Sequence, residues 1–286
     1  MSGHLNRVFI TESPRDGFQA LPKFIPTNTK VEYINRLLQC GFDTVEAGSF
    51  VSPRAIPQMA DTGEVLNKLD LSDTNSKIAV LIATAKGAKQ ACRFEQVDKV
   101  FFPYSLSKTF LKRNINQTFE EAEQTIDALL NLTQKTGKEA VVYYSWGFGD
   151  PYGDPWSIDL LIKSIEKMAS KGLRFFPLSD IAGEISTETI FNVYKALFTH
   201  FPELDFGFHL HALPADRIPK TEAAFRAGVS RFDSVIGGIG GCPMTGKELV
   251  ANMDTFTLLE FFKQKNITTG AHKNCVETIM QFPLPI

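Results

Sequence analysis

Two histidines in one predicted strand carry the strongest chemical signal in the sequence. His209 and His211 stand two residues apart within Phe206–Ala212, and side chains at positions i and i+2 of a strand point to the same face. Both imidazoles can therefore reach one metal ion, and Asp16 would add an oxygen ligand. Mixed nitrogen and oxygen ligands suit Mg²⁺, Mn²⁺ or Zn²⁺. The pattern predicts a divalent-metal site, and histidines that only pack or face solvent are the alternative interpretation.

Three charged residues are predicted at the ends of buried strands. Arg15 follows the first strand, Glu46 lies near the end of the second, and Asp180 ends the sixth. A buried carboxylate needs a partner, so one interpretation is an Arg15–Glu46 salt bridge that closes the mouth of the fold. The other is catalytic, because an arginine held by a carboxylate would be a fixed positive donor for an enolate oxygen. The two interpretations are compatible.

A cysteine in a glycine-rich loop is a further candidate. Cys242 follows the glycine-rich stretch 237–241, and such glycines let a loop move or let backbone approach a ligand. A thiol there is well placed for proton transfer over a metal site. The glycines form no GxGxxG fingerprint, so we expect no nucleotide site of that kind. Cys40 and Cys92 are expected to be inert small hydrophobic residues.

Regular elements must position these candidates, and short apolar runs predict eight strands. The runs are Val8–Ser13, Thr44–Phe50, Lys77–Ala83, Lys99–Ser105, Ala140–Trp146, Arg174–Asp180, Phe206–Ala212 and Phe232–Gly237. Nearly continuous hydrophobic runs suit parallel strands that are buried on both faces. The candidate site residues fall at the carboxyl ends of these runs.

Helical patterns lie between the predicted strands. Thr29 with Glu32, and Thr118 with Glu121, form capping-box pairs that would begin two helices. Apolar residues step by three and four through 158–168, with Gly172 as the C-cap, and again through 190–198. Further helices are predicted near 57–69, 85–94, 216–227 and 247–264.

Strands that alternate with helices over this length predict a (β/α)₈ TIM barrel of the α/β class. We expect one catalytic domain over 1–286, with an irregular tail at 271–286. In such a barrel the active site lies at the C-terminal ends of the strands. A doubly wound open sheet is the rival architecture, and strand counting alone does not exclude it.

Composition narrows the classes of function. The 286 residues carry a net charge of −2 and are 43% hydrophobic, which predicts an ordinary globular protein without a nucleic-acid partner. The start has no secretory-signal pattern, and no run reaches the roughly 18 apolar residues of a spanning helix. We therefore expect a cytoplasmic protein with no membrane partner. Four cysteines without CxxC spacing predict neither a disulfide framework nor a structural zinc site.

Several separate segments resemble the 3-hydroxy-3-methylglutaryl-CoA lyases of the DRE-TIM metallolyase superfamily. They are PRDGFQ at 14–19, VEAGSFVSP at 45–53, PQMAD at 57–61, KRNIN at 112–116, LSDIAG around Asp180, HLH at 209–211 and GGCP at 240–243. The resemblance runs from about Val8 to Gly270. No single segment is specific, but their order and spacing together are.

The resemblance implies a reaction, which is the metal-dependent retro-Claisen cleavage of 3-hydroxy-3-methylglutaryl-CoA to acetyl-CoA and acetoacetate. It also implies an acyl-CoA partner, Mg²⁺ or Mn²⁺ with Zn²⁺ as the alternative, a homodimer, and a role in leucine degradation. The matched metal ligands are Asp16, His209, His211 and Asn252.

The resemblance further implies roles for the other site residues. Arg15 matches the arginine that stabilises the enolate of the leaving acyl-CoA, and Glu46 matches the acid that orients it. Asp180 matches a residue of proton handling, and Cys242 matches a loop thiol that acts as acid and base. The substrate-pocket residues it implies are Gln19 and Ser49.

The sequence departs from the family pattern near the site. Ala212 replaces an acidic residue, Ala251 and Phe256 replace a glycine and a glutamate around Asn252, and Asp150 stands where a cysteine is common. These changes leave open a related aldolase or Claisen-type synthase acting on another acyl-CoA or 2-oxo acid. They also leave open a non-catalytic ligand-binding barrel. A metal hydrolase with an HxH motif is less compatible, because that motif normally lies on the first strand.

Overall fold

Eight strands close into one parallel barrel, in a computed structural model that describes residues 6–241 and 250–284. They are β1 (Phe9–Glu12), β2 (Thr44–Phe50), β3 (Lys77–Ile82), β4 (Lys99–Tyr104), β5 (Glu139–Ser145), β6 (Phe175–Asp180), β7 (Asp205–Leu210) and β8 (Arg231–Ser234). Each strand pairs with the next one along the chain, and β8 pairs in parallel with β1 to close the ring. The predicted (β/α)₈ TIM barrel is confirmed, and the doubly wound open sheet is excluded.

Helices connect the strands around the barrel. They are α1 (Pro14–Gln19), α2 (Thr27–Leu38), α3 (Thr62–Asn67), α4 (Ala85–Ala91), α5 (Lys108–Asn114), α6 (Phe119–Thr136), α7 (Ile158–Ser170), α8 (Thr187–His200), α9 (Pro214–Ala227), α10 (Thr255–Gln264) and α11 (Lys273–Met280). Two 3₁₀ turns span Pro57–Met59 and Ile236–Gly238. Among the described residues, no helix has the length and apolar character that a membrane crossing requires.

Alternate residues of each strand face opposite sides of the sheet. One side faces the lumen, where an interior cluster is formed by Ala79, Phe101, Val141, Tyr143 and Phe175. The other side packs against the helices, and in β7 it carries Phe206, Phe208 and Leu210. The parity of a residue within its strand therefore decides whether its side chain reaches the lumen.

The predicted strands agree closely with the observed ones. β2 matches its prediction at both ends, and the other strands differ by a few residues at one or both ends. The largest difference is in β8, which ends at Ser234 rather than at Gly237. Gly237 has a φ of 75° in the turn that follows, and a backbone with positive φ cannot continue a strand.

One of the two predicted capping boxes is correct. Thr118 and Glu121 form a reciprocal capping box at the start of α6. The other is wrong, because α2 already begins at Thr27 and so contains both Thr29 and Glu32.

The predicted helix near 247–264 also begins later than expected. Residues 247–249 lie outside the described part of the chain, and α10 begins at Thr255 with Asp254 as its N-cap. Asn252 and Asp254 instead form bridges with the ends of β7 and β8. Tertiary pairing thus replaces the first part of the expected helix.

The described part of the C-terminal tail contains a helix, so the prediction of an irregular segment at 271–286 is wrong for residues 273–280. This helix is α11, whose residues Val276 and Ile279 are buried. Cys275 in this helix is disulfide-bonded to Cys40, just after α2. The expectations of an inert Cys40 and of cysteines without a disulfide are therefore wrong. The two cysteines are 235 residues apart, so their spacing in the sequence gives no sign of their contact.

Candidate active site

Most of the predicted site residues gather at the carboxyl ends of β1, β2 and β7. α1 begins two residues after β1, with Pro14 at its first position, where the fixed φ of proline suits a helix start. This turn places the buried side chains of Arg15 and Asp16 next to Glu46 of β2. The register of the pairing between β2 and β3 shifts between Glu46 and Gly48.

Three candidate metal ligands meet at this mouth of the barrel. Oδ2 of Asp16 lies 4.0 Å from Nε2 of His209 and 4.0 Å from Nε2 of His211, and the two Nε2 atoms are 3.3 Å apart. Oδ2 of Asp16 is buried and has no hydrogen-bond partner among the described residues. An orphaned anionic oxygen beside two imidazole nitrogens is a donor set that a divalent cation satisfies. These residues therefore form a candidate metal site.

Hydrogen bonds behind each ring determine which nitrogen faces the cluster. Nδ1 of His211 donates to the Val250 carbonyl over 3.0 Å, and Nδ1 of His209 donates to Oδ2 of Asp233 over 3.1 Å. Tyr143 donates its hydroxyl to the same Asp233 oxygen over 2.8 Å. Each ring therefore turns Nε2 toward the cluster, as coordination of a shared cation requires.

Electrostatics favour a charged carboxylate and a neutral base in this cluster. Burial by itself would raise the pKa of Asp16, but Arg15 and the two imidazoles lower it to about 2. Burial, followed by His209, lowers the pKa of His211 to about 4. Burial would also lower the pKa of His209, but the nearby carboxylates of Asp233, Asp16 and Glu46 together raise it above its usual value. At neutral pH, Asp16 is a carboxylate and His211 is a neutral base.

Arg15 is clamped between two carboxylates. Its Nε and Nη2 donate to Oε1 of Glu46 over 2.9 and 2.7 Å, and its Nη1 donates to Oδ1 of Asp16 over 2.8 Å. Burial raises the pKa of Glu46, although Arg15 opposes that shift. The contacts engage three of the five guanidinium N–H groups. The expected salt bridge is present, and it also fixes the guanidinium beside the candidate ligands.

The two residues expected in the substrate pocket have different surroundings. Gln19 donates its amide to Oδ1 of Asp16 over 2.7 Å, so it supports a candidate ligand. Ser49 pairs with Leu81, which packs on the lumen cluster. The Ser49 hydroxyl is buried and has no hydrogen-bond partner in the described part of the chain. A buried hydroxyl without a partner calls for an explanation, and the substrate-pocket role of Ser49 stays a prediction.

Asn252 reaches the cluster through a short antiparallel segment. It forms a bridge with His211, and backbone hydrogen bonds on either side hold the segment against the end of β7. Nδ2 of Asn252 donates to the Ile239 carbonyl over 3.0 Å. The amide oxygen is then the atom of Asn252 that could serve as a metal ligand.

Asp180 lies apart from the cluster. In β6 it has the parity of the helix-facing residues, whereas its neighbour Ser179 pairs with His209. The Asp180 carboxylate accepts from three backbone N–H groups within 182–185 and lies 3.7 Å from Nζ of Lys220. Burial raises its pKa even though these contacts oppose the shift. The carboxylate fixes the loop after β6, and its role in proton handling stays a prediction.

Cys242 lies outside the described residues, and its role stays a prediction too. The loop that leads to it is described as far as Gly241. Gly240 has a φ of 96°, and a Cβ added there would lie 2.9 Å from Nδ2 of Asn252 and 2.9 Å from the Asp16 carbonyl oxygen. The loop backbone therefore packs directly on two candidate ligands, at a position that only glycine fits.

Two residues that depart from the family pattern, Asp150 and Ala212, have surroundings that fit their side chains. Asp150 accepts from the backbone N–H groups of Tyr152 and Asp154 over 2.8 and 2.9 Å, so it shapes the loop after β5. It also lines a cavity of about 180 Å³ whose wall includes Ser179. Ala212 is fully buried, which leaves little room for the larger acidic residue of the family.

Sequence reasoning missed two residues that support His209. Asp233 and Tyr143 lie inside strands, and a single polar residue within a hydrophobic strand gives no specific signal. Asp233 contacts His209 because β7 and β8 pair in a register that places these two residues side by side. That register is not specified by the sequence pattern.

Comparisons by sequence give one consistent family. A family model described as HMGL-like matches residues 7–272. The hydroxymethylglutaryl-CoA lyase YngG of Bacillus subtilis is 30% identical over 257 residues, which cover 90% of this chain and 85% of the relative. The mitochondrial hydroxymethylglutaryl-CoA lyase of Homo sapiens is 30% identical over 267 residues, which cover 93% of this chain and 81% of the relative.

Comparisons with solved structures also find hydroxymethylglutaryl-CoA lyases. The HMG-CoA lyase of Bacillus subtilis superposes with a TM-score of 0.90 at 27% identity, covering 98% of this chain and 96% of the relative. An HMG-CoA lyase from Acinetobacter baumannii, in complex with coenzyme A and 3-methylmalate, gives 0.89 at 26% identity and covers 98% and 91%. The carboxyl transferase domain of Rhizobium etli pyruvate carboxylase, at 14% identity and a TM-score of 0.73, shares the fold alone.

Proposed function

Because the chain belongs to the HMGL-like family, we propose that it is a carbon–carbon lyase that cleaves 3-hydroxy-3-methylglutaryl-CoA to acetyl-CoA and acetoacetate. The observation that carries this proposal is the contact between the Arg15 guanidinium and the Asp16 carboxylate. One oxygen of that carboxylate accepts from the guanidinium, and the other faces both imidazoles. A cation site and a fixed positive donor thus lie side by side, which suits a reaction that moves charge between two neighbouring oxygens.

The metal is proposed to be Mg²⁺ or Mn²⁺, with Zn²⁺ as the alternative. The residues that would hold it are Asp16, His209 and His211, together with the amide oxygen of Asn252. This mixture of oxygen and nitrogen donors suits all three ions. When bound, the cation supplies Lewis acidity, which lowers the pKa of the substrate's tertiary hydroxyl.

Arg15 is proposed to stabilise the charge that cleavage produces. A base removes the hydroxyl proton, and the bond between the α-carbon and the hydroxyl-bearing carbon breaks. The electron pair of that bond passes to the thioester enolate, and acetoacetate leaves. The two guanidinium N–H groups not engaged by Glu46 or Asp16 can donate to the enolate oxygen. One preorganised donor of this kind contributes roughly 2.7–4 kcal/mol.

The remaining roles follow the same proposal. Cys242 would donate the proton that converts the enolate to acetyl-CoA, Glu46 would orient Arg15, and Ser49 would bind a polar group of the substrate. An acyl-CoA partner is supported by the relative that was solved with coenzyme A. A homodimer, a cytoplasmic location and a role in leucine degradation stay predictions from the resemblance.

The test is the release of acetyl-CoA from 3-hydroxy-3-methylglutaryl-CoA. Protein stripped with a chelator should be inactive, and Mg²⁺ or Mn²⁺ should restore turnover. Asp16→Ala should not respond to the metal, whereas the matched control Asp159→Ala, at an exposed position of α7, should respond like the wild type. Absence of both metal binding and turnover in the wild type would support the non-catalytic barrel and overturn the proposal.

A related aldolase or Claisen-type synthase is the second candidate, and Asp150 favours it. This carboxylate replaces a common cysteine and lines a cavity that Ser179, the residue paired with His209, also borders, so it adds a negative group close to the site that the family pattern lacks. Tight metal binding without cleavage of 3-hydroxy-3-methylglutaryl-CoA would point to this candidate. A panel of other acyl-CoAs and 2-oxo acids would then identify the substrate class.

A further inference from the structure

A hydrogen-bond chain behind His209 takes no part in the reaction described above. Tyr143 and Nδ1 of His209 both donate to Oδ2 of Asp233, over 2.8 and 3.1 Å. The Tyr143 ring also packs edge-on against the His209 ring, with centroids 5.9 Å apart. Tyr143 and Asp233 are buried, so water does not compete strongly for these contacts. Three strands, β5, β7 and β8, therefore converge on one carboxylate oxygen.

We propose that Tyr143 and Asp233 are positioning residues that hold His209 in the orientation and tautomer required to bind the metal. This inference rests on the proposed function for the site it concerns, but it requires only that the site bind a divalent cation. Neither residue is a candidate ligand, because the Tyr143 hydroxyl and Nδ1 of His209 share Oδ2 of Asp233, whereas the ring atom of His209 that faces Asp16 is Nε2.

The tautomer of His209 follows from the acceptor behind it. A carboxylate can only accept the Nδ1 proton, and a neutral imidazole with its proton on Nδ1 has its lone pair on Nε2. Without Asp233, the neutral ring could carry the proton on Nε2 and present an N–H group to the cluster. The negative charge of the carboxylate also makes Nε2 a stronger donor to a metal.

Tyr143 fixes the carboxylate in turn. Its hydroxyl bonds to the same oxygen that accepts from His209, which sets the rotation of the Asp233 carboxylate. Its ring lies against the imidazole and opposes rotation of His209 about its side-chain bonds. One residue thus restrains both members of the His209–Asp233 pair.

The second imidazole provides an internal comparison. Nδ1 of His211 donates to the backbone carbonyl of Val250, which fixes the same tautomer without a charge and without a side chain. Only the support of His209 can therefore be removed by substitution. It is also the only one of the two supports that adds negative charge behind the ring.

The experiment measures Mn²⁺ affinity by titration calorimetry on the full-length, chelator-stripped protein. Asp233→Asn should weaken Mn²⁺ binding by about 10–100-fold, the usual loss when a partner behind a ligating histidine is removed. Tyr143→Phe keeps the ring and removes only the hydroxyl, so it should weaken binding by a smaller factor. Imidazole ¹⁵N spectra should show one His209 tautomer in the wild type and a mixture in Asp233→Asn.

Tyr144→Phe is the matched control. Tyr144 is the next residue of β5, it is buried, and its hydroxyl bonds to Oγ of Ser164 over 2.8 Å. The Tyr144 side chain lies on the face of β5 that packs against the helices, opposite to that of Tyr143. Loss of its hydroxyl should therefore affect stability but leave Mn²⁺ affinity and the His209 tautomer unchanged. A merely structural role for Tyr143 would make the two tyrosine variants behave alike.

Folded Tyr143→Phe and Asp233→Asn proteins that bind Mn²⁺ as the wild type does would overturn the inference. If Asp233→Asn fails to fold, Tyr143→Phe decides by its Mn²⁺ affinity alone. Acetyl-CoA release is assayed on the same preparations. A wild type that binds Mn²⁺ but does not cleave the thioester would overturn the proposed reaction. The Mn²⁺ affinities of the variants would still decide whether Tyr143 and Asp233 position His209.

Discussion

The Nε2 atoms of His209 and His211 lie 3.3 Å apart. Because Nδ1 of each ring donates to an acceptor behind it, the two Nε2 atoms face one another and the nearby carboxylate of Asp16. Two nitrogen lone pairs at this distance repel unless a proton or a metal ion lies between them. The folded barrel therefore holds these groups in an arrangement that a cation stabilises.

Metal binding should accordingly raise the stability of the protein. Mn²⁺ at about one hundred times its dissociation constant should add about 2.7 kcal/mol to the free energy of unfolding, because the unfolded chain does not assemble the ligands. Thermal unfolding with increasing Mn²⁺, followed by addition of a chelator, measures the effect. His211→Ala should abolish the increase, and a wild-type melting temperature that ignores Mn²⁺ would contradict the metal site.

Substitution of Arg15 should affect stability and turnover by separate routes. Arg15→Met leaves the Glu46 carboxylate buried without its positive partner, which destabilises a fold by about 3–5 kcal/mol. It also removes the enolate donor, which should lower turnover by about 10²–10³-fold.

The double variant Arg15→Met/Glu46→Gln separates the two effects. It removes the unpaired buried charge, so urea unfolding should show recovery of part of the lost stability. Turnover should remain as low as in Arg15→Met. Recovery of turnover together with stability would indicate that Arg15 acts only as a structural partner of Glu46.

Glu12 should make stability depend on pH. It is fully buried on the helix side of β1, and it accepts from the Ile236 N–H and the Thr255 hydroxyl over 2.8 and 2.6 Å. Burial raises its pKa from 4.5 to about 8. Between these values the folded protein keeps a proton that the unfolded chain releases. The contribution of Glu12 to the free energy of unfolding should therefore be fully present below pH 4.5 and should be lost as the pH rises toward 8.

Glu12→Gln isolates this contribution. Each unit of pKa difference corresponds to about 1.4 kcal/mol, so the difference in unfolding free energy between wild type and variant should change by a few kcal/mol across the range. Urea unfolding of both proteins at several pH values provides the measurement, and other titrating groups cancel in the difference. Parallel pH profiles would show that Glu12 titrates normally in the folded protein.

A methyl group at Gly240 should disturb the site more than one at Gly237. Both glycines have positive φ, 96° and 75°, so alanine strains the backbone at either position. Only at Gly240 would the new Cβ lie 2.9 Å from the side chain of Asn252, whereas at Gly237 its nearest contact is Ile239 at 3.8 Å. Calorimetry should show weaker Mn²⁺ binding in Gly240→Ala alone. That variant should also lose more thermal stability than Gly237→Ala, because its new Cβ would also lie 2.9 Å from the Asp16 carbonyl oxygen. Equal Mn²⁺ affinities would argue against contact between the loop and the site.

The barrel and most of the site could be predicted because local patterns specify them. Apolar runs mark the strands, and two histidines at i and i+2 must share a face whatever their partners are. Arg15 and Asp16 follow β1 directly, so the rule that barrel sites lie at the carboxyl ends of strands was sufficient to place them.

The parts of the site that could not be predicted depend on contacts between residues that are far apart in the sequence. Asp180 stands at the end of a strand like the others, but its parity turns it toward the helices, and Ser179 faces His209 instead. Asp233 supports His209 only because of the register between β7 and β8. Register and parity are set when the strands assemble, and no local pattern around Asp180 or Asp233 encodes them.

The bond between Cys40 and Cys275 changes how the molecule responds to cleavage. Seven of the eight strands, from β2 to β8, lie between these two cysteines, so nearly the whole barrel belongs to one covalent ring. A protease that cuts any single loop in this interval opens the ring without releasing a fragment. On a denaturing gel the two pieces separate only after a thiol reductant has been added. Without the reductant, the disulfide still holds the two pieces of a nicked molecule together.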